Sequence, residues 1–217
     1  LAAVFLGIAG VCRAQSFDQH FLDRTLRLDY TFSGNNHQQQ IYLDEMRQSE
    51  GWFGRRVNMD SLLLQGNGQI TVSDTTGLVL YRHSFSTLFQ EWQSTEEATR
   101  VSKSFENVFL VPMPKQTVDV TVTLFDTHRQ VRSSLKHRVN PQDILIRPVQ
   151  EGQKWEYLRR SGDSREKIDV AFVAEGYRQD EMNVFRRDCE ESIGAMLSHE
   201  PFRSMADRFN FVAVYSP

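Results

Sequence analysis

From residue 22 to residue 147, hydrophobic and polar positions alternate with a period of two. In "LRLDYTF" at 26–32, Leu26, Leu28, Tyr30 and Phe32 fall on one side and Arg27, Asp29 and Thr31 on the other. In "TVDVTVTLF" at 117–125, Val118, Val120, Val122 and Leu124 oppose Asp119, Thr121 and Thr123. Strict alternation marks strands of an antiparallel sheet with one dry face and one wet face. "QIYLDEM", "SLLLQ", "QITV", "GLVLYRH", "NVFLVPM", "LKHRV" and "DILIR" are further strand candidates. "GNG" at 66–68 predicts a hairpin turn between "SLLLQ" and "QITV", and "DTTG" at 74–77 predicts another before "GLVLYRH". "STLFQEWQSTEEA" at 86–98 breaks the rhythm. Thr87, with Gln90 three residues on, starts either a short capped helix or a long loop there. Many short strands separated by turn signals predict a β-sandwich over 15–147, with Leu26, Leu28, Tyr30, Val118, Val120 and Val122 inward.

The pattern then changes. "PVQEGQKWEYLRRSGDSRE" at 148–166 is polar, with Pro, Gly and Ser, and predicts an interdomain linker that touches down at Trp155 and Leu158. "IDVAFVA" from 168 is a nearly continuous apolar run, as in a strand covered on both faces. After it, Met182, Phe185, Cys189, Ile193, Met196 and Leu197 recur at helical spacing, and "FNFVAVYS" forms a second apolar run. Strand, helix, strand over 167–217 is the opening of an α/β domain. One helix and two strands bury too little surface to stand alone, so the expectation is a truncated domain.

The first fourteen residues have a different character. "LAAVFLGIAGVCRA" is an apolar run closed by small residues, and a cut between Ala14 and Gln15 fits a secretory signal peptide. It is shorter than the roughly 20 residues a membrane-spanning helix needs. The expectation is a secreted, periplasmic or cell-surface protein with no membrane span after signal removal; lipid attachment at Cys12 is the weaker alternative. After that cut Cys189 is the one remaining cysteine, and its place on an apolar helix face reads as core packing. A formal net charge of -3 and a pI near 6.1 give no overall basic excess, which argues against a nucleic-acid partner.

Candidate chemistry is sparse. His20, His37, His83, His128, His137 and His199 are scattered and read as surface residues. No two lie at the i, i+4 spacing that lets a helix offer two ligands to zinc, and H-E-x-x-H is absent, as are G-x-S-x-G and the glycine-rich phosphate loops. Asp180 and Glu181 suit the positive end of a helix dipole, and Asp188, Glu190 and Glu191 read as a solvated face. Glu175 is the one functional candidate. It sits at the carboxyl end of a strand, where α/β sheets place ligand-binding groups, and Gly176 after it suits a sharp turn. Turn chemistry is the competing reading of Glu175. Trp52, Phe53 and Trp92 are candidates for a contact surface or for core packing.

Four segments, "GWFGRRVNMDSLLLQGNGQI", "YRHSFSTLFQEWQSTEEA", "KSFENVFLVPMPK" and "KIDVAFVAEGYRQDEMNVFRRD", together resemble the bacterial secreted zinc metallopeptidases of the IgA-peptidase type. The resemblance covers nearly all of the chain after residue 14. It implies an all-β domain followed by an α/β zinc peptidase domain, a zinc cofactor in the full-length protein and a protein or peptide substrate. The family's H-E-x-x-H lies downstream of the strand at 168, so the resemblance assigns no metal ligand and no catalytic residue here. The rival reading is a non-catalytic exported β-sandwich that binds glycan or protein.

Overall fold

A computed structural model describes residues 16–62, 64–150 and 152–216. Ala14 and Gln15, the expected signal cleavage pair, and Cys12 lie outside the described residues. The chain divides into two compact units between Pro148 and Val149.

The first unit contains α1 (Phe17–His20), β1 (Phe21–Gly34), β2 (Gln39–Glu50), β3 (Gly68–Asp74), β4 (Val79–Phe85), α2 (Leu88–Trp92), β5 (Lys103–Pro114), β6 (Val118–Phe125), β7 (Val131–Val139) and β8 (Ile146–Pro148). They build two four-stranded sheets, in the orders β5-β1-β2-β8 and β4-β3-β6-β7. All pairings are antiparallel except β2 with β8. The inward residues of both sheets form one core, so the unit is the expected β-sandwich. Leu26, Leu28, Tyr30, Val120 and Val122 are 0% exposed and Val118 is 2% exposed, as alternation predicts. Phe32 lies at the centre of an aromatic cluster, its ring 6.2 Å from Phe85, 6.5 Å from Phe89 and 6.1 Å from Phe109.

Two turn signals have opposite outcomes. Asp74 closes the β3–β4 hairpin as expected: its Oδ1 accepts from the backbone N–H groups of Thr76 and Leu78, both at 2.9 Å. "GNG" does not make a hairpin, because Ser61, Leu62, Leu64 and Gln65 are not in a strand. Its glycines serve close approach instead. A Cβ on Gly68 would lie 2.1 Å from the Phe85 ring, and one on Gly66 would lie 2.1 Å from the Phe85 carbonyl oxygen. The segment ahead of "GNG" covers the β4 edge. The Arg82 N–H donates to the Met59 carbonyl at 2.8 Å, and the Arg55 guanidinium donates to the carbonyls of Met59, Ser61 and Arg82. Trp52 packs into the core, edge-on to Tyr81, whereas Phe53 is exposed and Trp92 is half-buried against Phe89 and Phe105. Thr87 caps α2 as the sequence predicts, its hydroxyl accepting from the Gln90 N–H at 3.3 Å. Of "DILIR" only the end is strand; Ile144 and Leu145 are exposed.

The second unit contains β9 (Lys154–Arg159), β10 (Ile168–Val173), α3 (Met182–Leu197) and β11 (Phe209–Tyr215), with the sheet order β10-β11-β9. β10 and β11 are parallel, joined by α3, as strand–helix–strand periodicity predicts. Two expectations are corrected. The stretch 148–166 holds β9, which pairs antiparallel with β11; the charged residues around Trp155 and Tyr157 conceal a short strand. β10 is not covered on both faces. It lies at the sheet edge, with Ile168 54% and Val173 55% exposed, and α3 packs on one face of the sheet through Phe185 and Cys189 against Ala174 and Ala213.

Candidate functional site

Glu175 follows β10 at the point where the chain leaves the sheet for α3. The Ala174 N–H still pairs with the Val214 carbonyl at 3.1 Å, and Ala174 is fully buried. Gly176 then takes φ +87, a left-handed conformation that glycine adopts without steric cost. The turn therefore presents the Glu175 side chain to solvent, and among the described residues it has no hydrogen bond or ion pair. Tyr177 turns back inward. Its ring lies 5.2 Å from Phe185, and its hydroxyl donates to Asp188 Oδ2 at 3.0 Å. That bond to a carboxylate, with partial desolvation, raises the Tyr177 pKa and keeps the phenol protonated. Asp188 is thus a half-buried acceptor rather than part of a solvated face.

The start of the helical segment is capped from within. Arg178 has no side-chain oxygen to offer, and its own backbone N–H donates to Glu181 Oε2 at 2.9 Å. Glu181 thereby supplies the carboxylate half of a capping box. Deeper in the unit, Glu156 on β9 accepts from Tyr215 on β11 and from Arg186 on α3. The Tyr215 bond first and the Arg186 bond second hold Glu156 below the usual carboxylate range. Arg186 also reaches Glu190 at 3.2 Å, so one cation ties helix to sheet. Asn210 is fully buried on β11. Its Oδ1 accepts from the Ser161 and Gly162 N–H groups at 2.7 and 3.2 Å, and its Nδ2 donates to the Gly162 carbonyl at 3.1 Å and to Asp169 Oδ1 at 2.7 Å. Its one sequence signal is a lone amide inside the apolar run "FNFVAV".

These groups organise the sheet and its turns. Burial pushes the Cys189 thiol pKa up, helped by the negative charges of Asp188 and Glu190, and the sulfur packs as a buried thiol. His199 binds the end of α3, with Nδ1 2.9 Å from the Ala195 carbonyl oxygen. His83 lies on β4 and His128 in the β6–β7 turn, both in the first unit, and Glu175 is in the second. His137 is not the surface residue the sequence suggests: it is half-buried and bonded to Tyr30. Among the described residues, no three of His, Cys, Asp and Glu come together to hold a metal ion, so the residues present do not fit a catalytic zinc site.

Residues 16–136 match the family model described as peptidase M64 N-terminus, and residues 157–217 match the model described as IgA peptidase M64. The two matches occur in chain order and meet the two structural units separately. No curated protein matches the chain.

Proposed function

This chain belongs to the M64 family of IgA peptidases, and on that footing we propose that it is the amino-terminal part of an exported zinc metallopeptidase. Peptidases of this family are generally metal-dependent and act on protein substrates. In the proposed full-length enzyme a zinc ion would supply activation of water for peptide-bond hydrolysis, with its ligands outside the described residues. The signal peptide ends at Ala14, and the mature chain begins at Gln15. The carrying observation is the ordered pair of family matches, the second of which spans the strand–helix–strand of β10, α3 and β11. The parallel pair supports it, since two parallel strands need a crossover, here α3, as in an α/β domain.

The test compares the 217-residue chain with one extended through its natural downstream sequence. The expected result is stoichiometric zinc and cleavage of casein by the extended chain alone. Zinc and hydrolysis in the short chain would overturn the assignment of the ligands, with His83, His128 and Glu175 the first residues to substitute. Amino-terminal sequencing of the exported protein tests the processing site. A lipidated start at Cys12 would make it a surface lipoprotein instead.

A further inference from the structure

The outward face of the β4-β3-β6-β7 sheet is predominantly polar. Strand register sets its side chains in rows that run across the strands. One row is Arg82, Thr71, Thr121 and Lys136, each the register partner of the next. The row on one side is Ser84, Gln69, Thr123 and Ser134. The row on the other is Val79, Ser73, Asp119 and Arg138. The alternate residues Ile70, Val72, Val120 and Val122 are buried, so every member of these rows projects away from the core. Val79, at the β4 rim, is the one apolar side chain in these rows.

The charge is lopsided. Asp119 is the one carboxylate in the rows, and it is held by both Lys136 at 3.0 Å and Arg138 at 2.9 Å. Asp119 is buried beneath these cations, whose side chains stay 62% and 64% exposed. Arg82, partly buried, stands at the opposite rim with no acidic partner in the rows, and among the described residues its buried Nε has no hydrogen-bond partner. The outward face of the other sheet is balanced by comparison, Arg27 pairing with Asp29 and Arg47 with Glu45. A chain of net charge -3 thus carries a positive, hydroxyl-covered plane on one sheet. Three strand spacings separate Arg82 from Lys136, a width of about 14 Å.

We propose that this plane binds an acidic polysaccharide, a glycan whose repeating units carry carboxylate or sulfate groups. Cations at the two rims meet the acidic groups, and Thr71, Thr121, Thr123, Ser134 and Gln69 exchange hydrogen bonds with sugar hydroxyls between them. A protein partner of ordinary affinity needs an aromatic or aliphatic anchor in a dry centre, and the one aliphatic member of the rows, Val79, lies at the rim. Single-stranded nucleic acid needs aromatic platforms for its bases, also absent here. A flat four-stranded face does not enter the major groove of a duplex, which admits a helix or a two-stranded ribbon. The binding is separate from peptide hydrolysis; it would hold the chain against an anionic glycan matrix.

The test is binding of the full chain, at low salt, to heparin as a sulfated uronate polymer, to polygalacturonate as a carboxylate polymer, to dextran as a neutral polymer, and to duplex DNA. The expected result is binding to heparin or polygalacturonate that weakens with added salt, with none to dextran. Arg82→Gln with Lys136→Gln should weaken it roughly tenfold or more, while leaving the Asp119–Arg138 pair in place. Arg24→Gln with Arg100→Gln removes the same charge elsewhere and should leave binding unchanged. Thr121→Glu places an anion in the central row without removing a cation, so it reports independently if the double variant folds poorly; it too should abolish binding. The proposal is overturned if neither acidic polysaccharide binds. It is equally overturned if the control pair weakens binding as much as the face variants, or if DNA binds as tightly as the glycans.

Discussion

Tyr30 and His137 meet across the sandwich, the phenol of β1 lying 2.6 Å from Nε2 of the imidazole on β7. Tyr30 is fully buried, which pushes its pKa well above the usual phenol range and leaves its hydroxyl as the donor. Nε2 then accepts, the ring proton sits on Nδ1, and Nδ1 finds no partner. Burial lowers the His137 pKa, with the Asp119 charge among the opposing influences. Protonating the ring would also remove the acceptor that Tyr30 uses.

The sign of the resulting pH dependence follows. A histidine whose folded pKa is depressed gives stability that is present above its unfolded pKa of about 6.5 and lost as pH falls through the folded value. Denaturant midpoints of the sandwich should therefore fall as pH drops from about 7 towards 5. His137→Gln should flatten that slope. Tyr30→Phe should cost about 1–3 kcal/mol at neutral pH, the penalty of leaving a buried polar partner unmade.

Asp119 gives a second, separate window. Arg138 first and Lys136 second hold its carboxyl down to about 2. A depressed carboxylate stabilises the fold above its unfolded value of about 3.9, and that contribution is lost as pH falls towards the folded value. Acid titration of the wild type should show a loss in this lower range that Asp119→Asn lacks. If the two proteins titrate alike between pH 4 and about 2, the pairing contributes nothing.

Gly68 should tolerate no side chain while Phe85 is in place. The clash at 2.1 Å is with ring atoms that are themselves packed, the Phe85 ring lying 4.3 Å from Phe109. Gly68→Ala should destabilise by about 1–3 kcal/mol. The double variant Gly68→Ala/Phe85→Leu should lose less than the sum of the two single changes, because the smaller residue vacates the space. A strictly additive cycle would refute that account.

Asn210 uses both amide ends. Asn210→Leu should cost about 2–4 kcal/mol, since the Ser161 and Gly162 N–H groups lose their acceptor. Asn210→Asp keeps the acceptor but sets a carboxylate where an amide now donates to Asp169. Its penalty should grow as pH rises through the carboxylate range, whereas that of the leucine variant should not. Urea unfolding at pH 4 and pH 7, read at Trp155 on the neighbouring β9, separates the two.

The sandwich was legible in the sequence because its physics is local. Each strand buries one face, so Leu26, Leu28 and Tyr30, or Val118, Val120 and Val122, reveal both strand and core side through alternation. The Thr87 cap was legible for the same reason, since its partner is three residues away. "GNG" misled because glycine signals a tight turn and a close approach alike, and only the position of Phe85 decides between them. His137 was misread although "LKHRV" places it on the face of Leu135 and Val139; its polarity outweighed its position. β9 was hidden because its pairing partner comes fifty or so residues later, beyond the reach of any local pattern. Glu175 follows a strand end, as the pattern predicts, and the turn sends its side chain to solvent.

The order of the small sheet has a consequence for the way the chain is made. β11 lies between β9 and β10, although both precede it in the sequence. The two earlier strands share no hydrogen bonds with each other, and the buried amide that fastens the 161–162 loop to Asp169 belongs to β11 as well. On a translating ribosome the sandwich has all its strands before this sheet has any pairing. Until β11 emerges, β9 and β10 remain two unpaired ribbons, each open to another chain. Of these three strands the one delivered last is the keystone, and ribosomes stalled before residue 209 would carry a folded sandwich with an unfolded tail.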